Sequence, residues 1–135
     1  MNAEQNNRGY MLLFIGQDWH KGLSPEETQK ISEEWMAWFR GLMKSGQAVG
    51  GHPLAGEGKV VSGKNRSVTD GPFAETKEAI GGYFMLDVAT IDEAVEIARQ
   101  CPGLPYGVKV EVRPVLGECA MQSEAKRERE LAAAK

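Results

Sequence analysis

The sequence predicts an α+β fold of strand, helix, two strands, helix and strand, with an antiparallel sheet that carries both helices on one face. Three observations point there. The first strand, residues 10–16, is apolar on both faces. Two helices follow, each with a capping signal and a single apolar stripe. The rest of the β-forming sequence comes in short runs punctuated by glycine and Asp-Gly, not in long helical periods.

In the first strand, Tyr10, Leu12 and Phe14 fall on one face, and Met11, Leu13 and Ile15 on the other. A strand with a wet face would alternate with polar residues, so both sides of this one need cover. Residues 1–9 before it read as a flexible leader. A loop over 17–23 leads to the first helix, where Ser24 is the N-cap, Pro25 takes the first helical position and Glu27 completes a capping box. Ile31, Trp35, Trp38, Phe39 and Leu42 recur at helical spacing and form one apolar face, with both tryptophans expected in the core. Ser45-Gly46 ends the helix.

Residues 47–69 are glycine-rich and short-stranded. Residues 47–49 can make a short strand, while 60–62 and 66–69 read as a hairpin around Gly63-Lys64-Asn65. Asp70-Gly71-Pro72 is a turn signal, because Asp bonds its own backbone, Gly tolerates positive φ and Pro fixes φ. The strand over 80–88 sets Phe84, Leu86 and Val88 against Tyr83, Met85 and Asp87. The second helix spans 90–101, with Thr90 and Glu93 as a capping box, Ala94, Ile97, Ala98 and Cys101 as its stripe, and Pro102 as its stop. The last strand, 107–115, turns Val108, Val110 and Val112 one way and Lys109, Glu111 and Arg113 the other. Residues 117–135 form a polar tail of helix formers with little to bury, expected to fray or to dock on a partner.

This order is the split βαβ, or ferredoxin-like βαββαβ, arrangement. The helices cover one sheet face with the valines of the last strand and Phe84, Leu86 and Val88. The opposite face keeps Tyr83, Met85, one apolar set of the first strand and the row Lys109, Glu111, Arg113. An exposed apolar patch of that kind marks an interaction site, and a twofold pair is the commonest way to cover it. A homodimer with an inter-sheet cavity is therefore expected.

The 135 residues suit one domain, and 41% hydrophobic with 26% charged residues argue against wholesale disorder. A formal charge of −3 gives no footprint for nucleic acid. The longest apolar run, 10–15, is far shorter than the roughly 20 residues of a membrane span, and no basic stretch of a signal peptide precedes it. Cys101 and Cys119 have no metal or redox spacing, which fits reduced thiols and a cytoplasmic setting. His20 and His52 are not paired, and Gly56-Glu57-Gly58-Lys59 lacks a phosphate-loop pattern, so neither metal nor cofactor is expected.

The segment Asp70-Gly71-Pro72-Phe73-Ala74-Glu75-Thr76-Lys77-Glu78, followed by Gly81-Gly82-Tyr83-Phe84, resembles the signature of the YCII-related proteins, in the branch with a DGPF motif. The similarity continues through Asp92-Glu93-Ala94 and Cys101-Pro102 to Val110-Glu111-Val112-Arg113-Pro114-Val115, and so covers residues 10–116. The resemblance implies the ferredoxin-like fold and a dimeric α/β barrel. An enzymatic role around a histidine–aspartate pair has been suggested for that family, with the histidine in the first helix. Residues 25–45 contain no histidine here, so that pair does not transfer. Related domains next to sigma-factor-like regulators leave a regulatory protein partner open.

The candidate ligand-binding set is Arg66, Asp70, Glu75, Lys77, Glu78, Glu111 and Arg113, with Asp70 as candidate acid or base. The plainer reading is that Asp70 closes an Asx-type turn and the others are surface charges. His52, before Pro53 in a glycine-rich loop, is either a proton carrier or a lone surface histidine. The expected function is binding of a small polar ligand, or a regulatory role, at the dimer cavity. The alternative is a cofactor-free enzyme that uses a carboxylate near the motif.

Overall fold

The computed structural model describes residues 9–16, 18–71, 79–116 and 128–133. Along the chain come β1 (Gly9–Ile15), α1 (Pro25–Ser45), β2 (Ala48–Pro53), β3 (Gly58–Ser62), β4 (Ser67–Gly71), β5 (Ile80–Asp87), α2 (Ile91–Ala98) and β6 (Lys109–Pro114). A four-stranded antiparallel sheet has the order β2-β5-β1-β6, and β3 with β4 forms a separate two-stranded sheet. This is the ferredoxin-like order, an α+β fold with α1 packed on β2 and α2 on β1 and β6.

Side-chain alternation sets the layers. On β1, Tyr10, Leu12 and Phe14 are buried with Phe84 and Leu86 of β5, Val88 and Val108. From the helices, Leu42, Ala94, Ile97 and Ala98 join them. Met11, Leu13, Ile15, Tyr83 and Met85 point to the other face and are half-buried in the single chain, while Lys109, Glu111 and Arg113 are exposed. The two faces expected from the sequence are thus both present.

The caps are also as the residue types demand. Ser24 accepts from the Glu27 N–H at 3.1 Å, and the Glu27 carboxylate accepts from the Ser24 N–H at 3.4 Å. Gly46 ends α1 at φ 83°, a left-handed conformation that suits glycine. The second cap is only half a box. Thr90 accepts from the Glu93 N–H, but the Glu93 carboxylate accepts from Ala89 instead of from the cap residue. α2 stops at Ala98, a turn short of the expected Cys101. Cys101 is nevertheless buried, and burial pushes its thiol up to about 11, so it packs as a small neutral apolar group.

Three readings of the middle segment need correction. The strand beside β5 is β2, which runs through Gly50, Gly51 and Pro53, and the valine-rich hairpin lies outside the main sheet. The reason is connection length: Gly46 turns the chain straight back, and the Asp87 N–H donates to Gln47 O at 2.9 Å, so residues 48–53 reach the open edge of β5 first. Asp70 and Gly71 are paired strand residues opposite Lys59 and Gly58, not a turn. Gly71 is needed there because the Val60 side chain fills the place its Cβ would take. Arg66 sits in the hairpin turn at φ 57° and not on the strand. The leader residues 1–8, Cys119, and tail residues 117–127 and 134–135 lie outside the described residues. Residues 128–133 are helical and exposed.

Candidate functional site

The packing of α1 over the sheet leaves a cavity of about 760 Å³. Phe14 sits at the centre of the wall. Its ring meets Trp35 edge-on at 5.0 Å, Trp38 at 6.0 Å and Phe84 at 4.7 Å. Phe39 lies 4.6 Å from Phe84 at 37°, and Trp19 lies 6.0 Å from Trp35 at 30°. Rings of this size would ordinarily fill the space between a helix and a sheet. Here the facing backbone supplies Gly51, Gly81 and Gly82, which contribute no side-chain volume, and the cavity stays open between Trp35, Met36 and Phe39 of α1 and the ends of β2 and β5.

Glycine is required at two of these contacts. A Cβ on Gly51 would lie 2.8 Å from Phe84 Cδ1 and 3.1 Å from Phe39 Cε1. A Cβ on Gly103 would lie 2.6 Å from Trp35 Cζ3 and 2.7 Å from Val108 Cγ2. Either substitution forces the wall rings to move, and overpacking of that kind costs about 1–3 kcal/mol.

The polar groups of the cavity come from three places. Asp18 and His20 stand on the loop after β1, Ser32 stands on α1, and His52 and Tyr83 at the ends of β2 and β5 face each other across the ladder on the sheet face turned away from α1. His52 Nδ1 and the Tyr83 hydroxyl are 3.1 Å apart and share a hydrogen bond. The Asp18 carboxylate is 3.4 Å from Lys21 Nζ, whose own side chain is exposed. His20 stacks edge-on against Trp19 at 5.5 Å. Among the described residues no group of three or more His, Cys, Asp and Glu converges to hold a metal ion. A cavity of several hundred Å³ with ring walls and few polar groups has the form of a small-molecule site.

Of the charged residues singled out from the sequence, those that are described fall elsewhere. Asp70 projects from the β3–β4 hairpin, where its carboxylate pairs with Lys59 across the strands, both largely exposed. Glu111 and Arg113 pair with each other at 3.3 Å on the open face of β6. β6 is the edge opposite β2, and Asp70 belongs to the other sheet, so the described chain does not gather these residues into one cluster. Arg66 stands in the hairpin turn, while Glu75, Lys77 and Glu78 lie outside the described residues.

His52 and Tyr83 escaped the sequence reading as a pair, although a signal was present. Gly50-Gly51-His52 and Gly81-Gly82-Tyr83 are parallel motifs, each a glycine pair followed by a polar ring. In an antiparallel register they bring the two rings face to face. Trp35 was expected in the core and does pack there, but the same ring also walls the cavity.

A ferredoxin-like antiparallel sheet beneath a ring-bearing helix places the chain among small α+β proteins. Among these, this chain belongs to the YCII-related family, whose domain pattern matches residues 10–116. An uncharacterized protein of Rhizobium meliloti (strain 1021) is 47% identical over 49 residues, which is 36% of this chain. The match covers 40% of that relative's length. Among the described residues no helix is long and apolar enough to cross a membrane.

The placement of Asp70 sets an expected outcome. Its partner is a lysine in solvent, and such surface pairs contribute about 0–1 kcal/mol. Asp70→Asn should therefore shift the stability measured by urea denaturation by less than about 1 kcal/mol. A loss of several kcal/mol would mean that the charge holds the motif together.

Proposed function

We propose that this YCII-related chain is a small-molecule-binding protein that works as a homodimer, with the cavity beneath α1 as its ligand site. The observation that carries the reading is the 760 Å³ space itself, walled by Phe14, Trp19, Trp35, Phe39 and Phe84 and supplied with only a few polar groups. A ring-walled pocket of that size with few polar groups has the form of a small-molecule site. Binding fits better than catalysis by Asp70, because that carboxylate is exposed on the hairpin and engaged by Lys59, away from the ring walls.

Pairing is supported by the other face of the sheet. The registers align His52, Tyr83, Leu13 and Glu111 in one row, and Gly50, Met85, Met11 and Arg113 in the next. Each row runs from a glycine-rich edge through apolar residues to a charge. Among the described residues neither α1 nor α2 covers Met11, Leu13, Ile15 and Met85, and a second copy across a twofold axis would remove them from water. The notion of a regulatory module is compatible with this reading, since a ligand that rigidifies the cavity wall would act through α1.

Two measurements check the parts separately. The neutral dye 1-aminoanthracene should bind saturably with a rise in its emission, and Ser32→Phe, which projects a ring from α1 into the cavity, should abolish that rise without lowering the melting temperature. Undiminished binding to the Ser32→Phe chain would place the dye elsewhere. For the dimer, sedimentation at micromolar concentration should give twice the chain mass, and Leu13→Asp should dissociate the pair, because burying an unpaired carboxylate costs several kcal/mol. A wild-type monomer would refute the dimer and leave the cavity reading standing.

A further inference from the structure

We infer that the second copy docks with its twofold axis along the strands, so that β6 of each chain lies over β2 of the other and Glu111 meets the partner's His52. The inference rests on the pairing reading above and gives it an orientation and a shared polar site. On the sheet face turned away from α1, one row reads His52, Tyr83, Leu13, Glu111, and the next reads Gly50, Met85, Met11, Arg113. Each row is apolar in its middle and ends in a long charged side chain on β6. At the β2 end stand a glycine and an imidazole.

A twofold axis between two facing sheets can run along the strands or across them. Along the strands, it lays each row over itself in reverse. Met11 then meets the partner's Met85, Leu13 meets the partner's Tyr83, and Arg113 reaches over the partner's Gly50. Across the strands, β6 would lie on β6, which piles Lys109, Glu111 and Arg113 onto their own copies. The two β2 edges would face each other with a glycine on each side and little to fill the gap. Facing sheets keep an even spacing of about 10 Å, and long side chains over a low edge satisfy that spacing at both ends.

Two features of β2 agree with this fit. Gly50 has no reason within its own chain to be glycine. Its φ is not positive, the register shift before it notwithstanding, and a Cβ there would meet nothing within 4 Å. A glycine inside a strand costs stability and marks close approach of another group, which the partner's Arg113 supplies. The second feature is the bond between His52 Nδ1 and the Tyr83 hydroxyl at 3.1 Å. If the hydroxyl donates, Nε2 carries the ring proton; if Nδ1–H donates, the phenolic O–H is left to donate. Either way one donor of the pair points outward, and the carboxylate of the partner's Glu111 accepts it while keeping its own Arg113 at 3.3 Å.

Cross-linking in solution reads the axis. On a full-length Cys119→Ser background, in which Cys101 is buried, Gly50→Cys chains are mixed with Arg113→Cys chains and treated with bismaleimidoethane. The mixture should give at least about tenfold more covalent dimer than either variant alone, because two copies of position 50 lie three strand spacings apart sideways, about 14 Å. A mixture that sediments as a dimer but gives no more product than the single variants would overturn the inference and leave the dimer standing.

Sedimentation equilibrium supplies a second readout. Gly50→Phe should weaken pairing by at least about tenfold, and Gly50→Phe with Arg113→Ala should return to within about threefold of wild type, since the bulk has only changed sides. Pairing that Gly50→Phe leaves intact, or a loss that Arg113→Ala does not relieve, would also overturn the inference. The losses from His52→Ala and Glu111→Ala should combine to less than their product, as for groups in contact. A full product would remove that contact. A wild-type chain that sediments as a monomer would remove the pairing reading itself, and this inference with it.

Discussion

Phe14 projects from an inner strand into the helix layer, and the rest of the architecture is arranged around the rings that close on it. Trp35, Trp38 and Phe84 each meet it within 6.0 Å, edge to face, and Phe39 continues the stack over Phe84. Ring pairs in such geometry contribute about 0.5–1.5 kcal/mol each beyond the area they bury. They also fix where α1 can lie, because four bulky rings cannot interdigitate at more than one register. The helix is thereby held off the sheet by the thickness of a ring wherever the strand below has a side chain. Over Gly51, Gly81 and Gly82 there is none, and the cavity is the residue of that mismatch.

The same constraint explains the choice of β2 as the edge strand. Residues 48–53 have poor strand propensity on their own, with two glycines and a proline among six positions. They are nevertheless the residues that fit under Phe39, since any side chain at Gly51 would strike the rings. Proline is tolerated because β2 has a neighbour on one side alone. The hairpin β3–β4 has the better strand formers but carries them past the sheet. Its Val61 and Val68 stay 64% and 63% exposed, which leaves the hairpin as an arm and not a part of the core. Isolated two-stranded sheets are marginal in water, so this arm is the part of the described chain that gains most from any neighbour.

Much of the fold was legible in the residues. The doubly apolar run through Leu12 and Leu13, the Ser24–Glu27 box and the Gly46 stop each rest on local chemistry, and each stands as expected. The alternation of Val108, Val110 and Val112 with Lys109, Glu111 and Arg113 likewise assigns the two faces of β6 without reference to anything distant. What could not be read locally was the partner of β5, because connection length and ring packing outweighed strand propensity. The site was hidden for a related reason. A cavity made by absent side chains leaves no charged motif, whereas Asp70, Glu111 and Arg113 carry visible charge but have their partners close by on their own sheets. His52 and Tyr83 lie 31 positions apart and become a pair only through the antiparallel register.

The central claim is that the ring stack and the glycine strands leave an open, largely apolar space able to hold a guest. Xenon is the most direct probe, because it enters apolar cavities by dispersion alone and needs no polar contact. Crystals pressurised with xenon should show ordered density between Trp35, Phe39 and Phe84, with the surrounding rings unmoved. A lattice that takes up no xenon there, with Trp35 collapsed onto the Phe39–Phe84 pair and the space between α1 and Gly82 filled by protein atoms, would contradict the account.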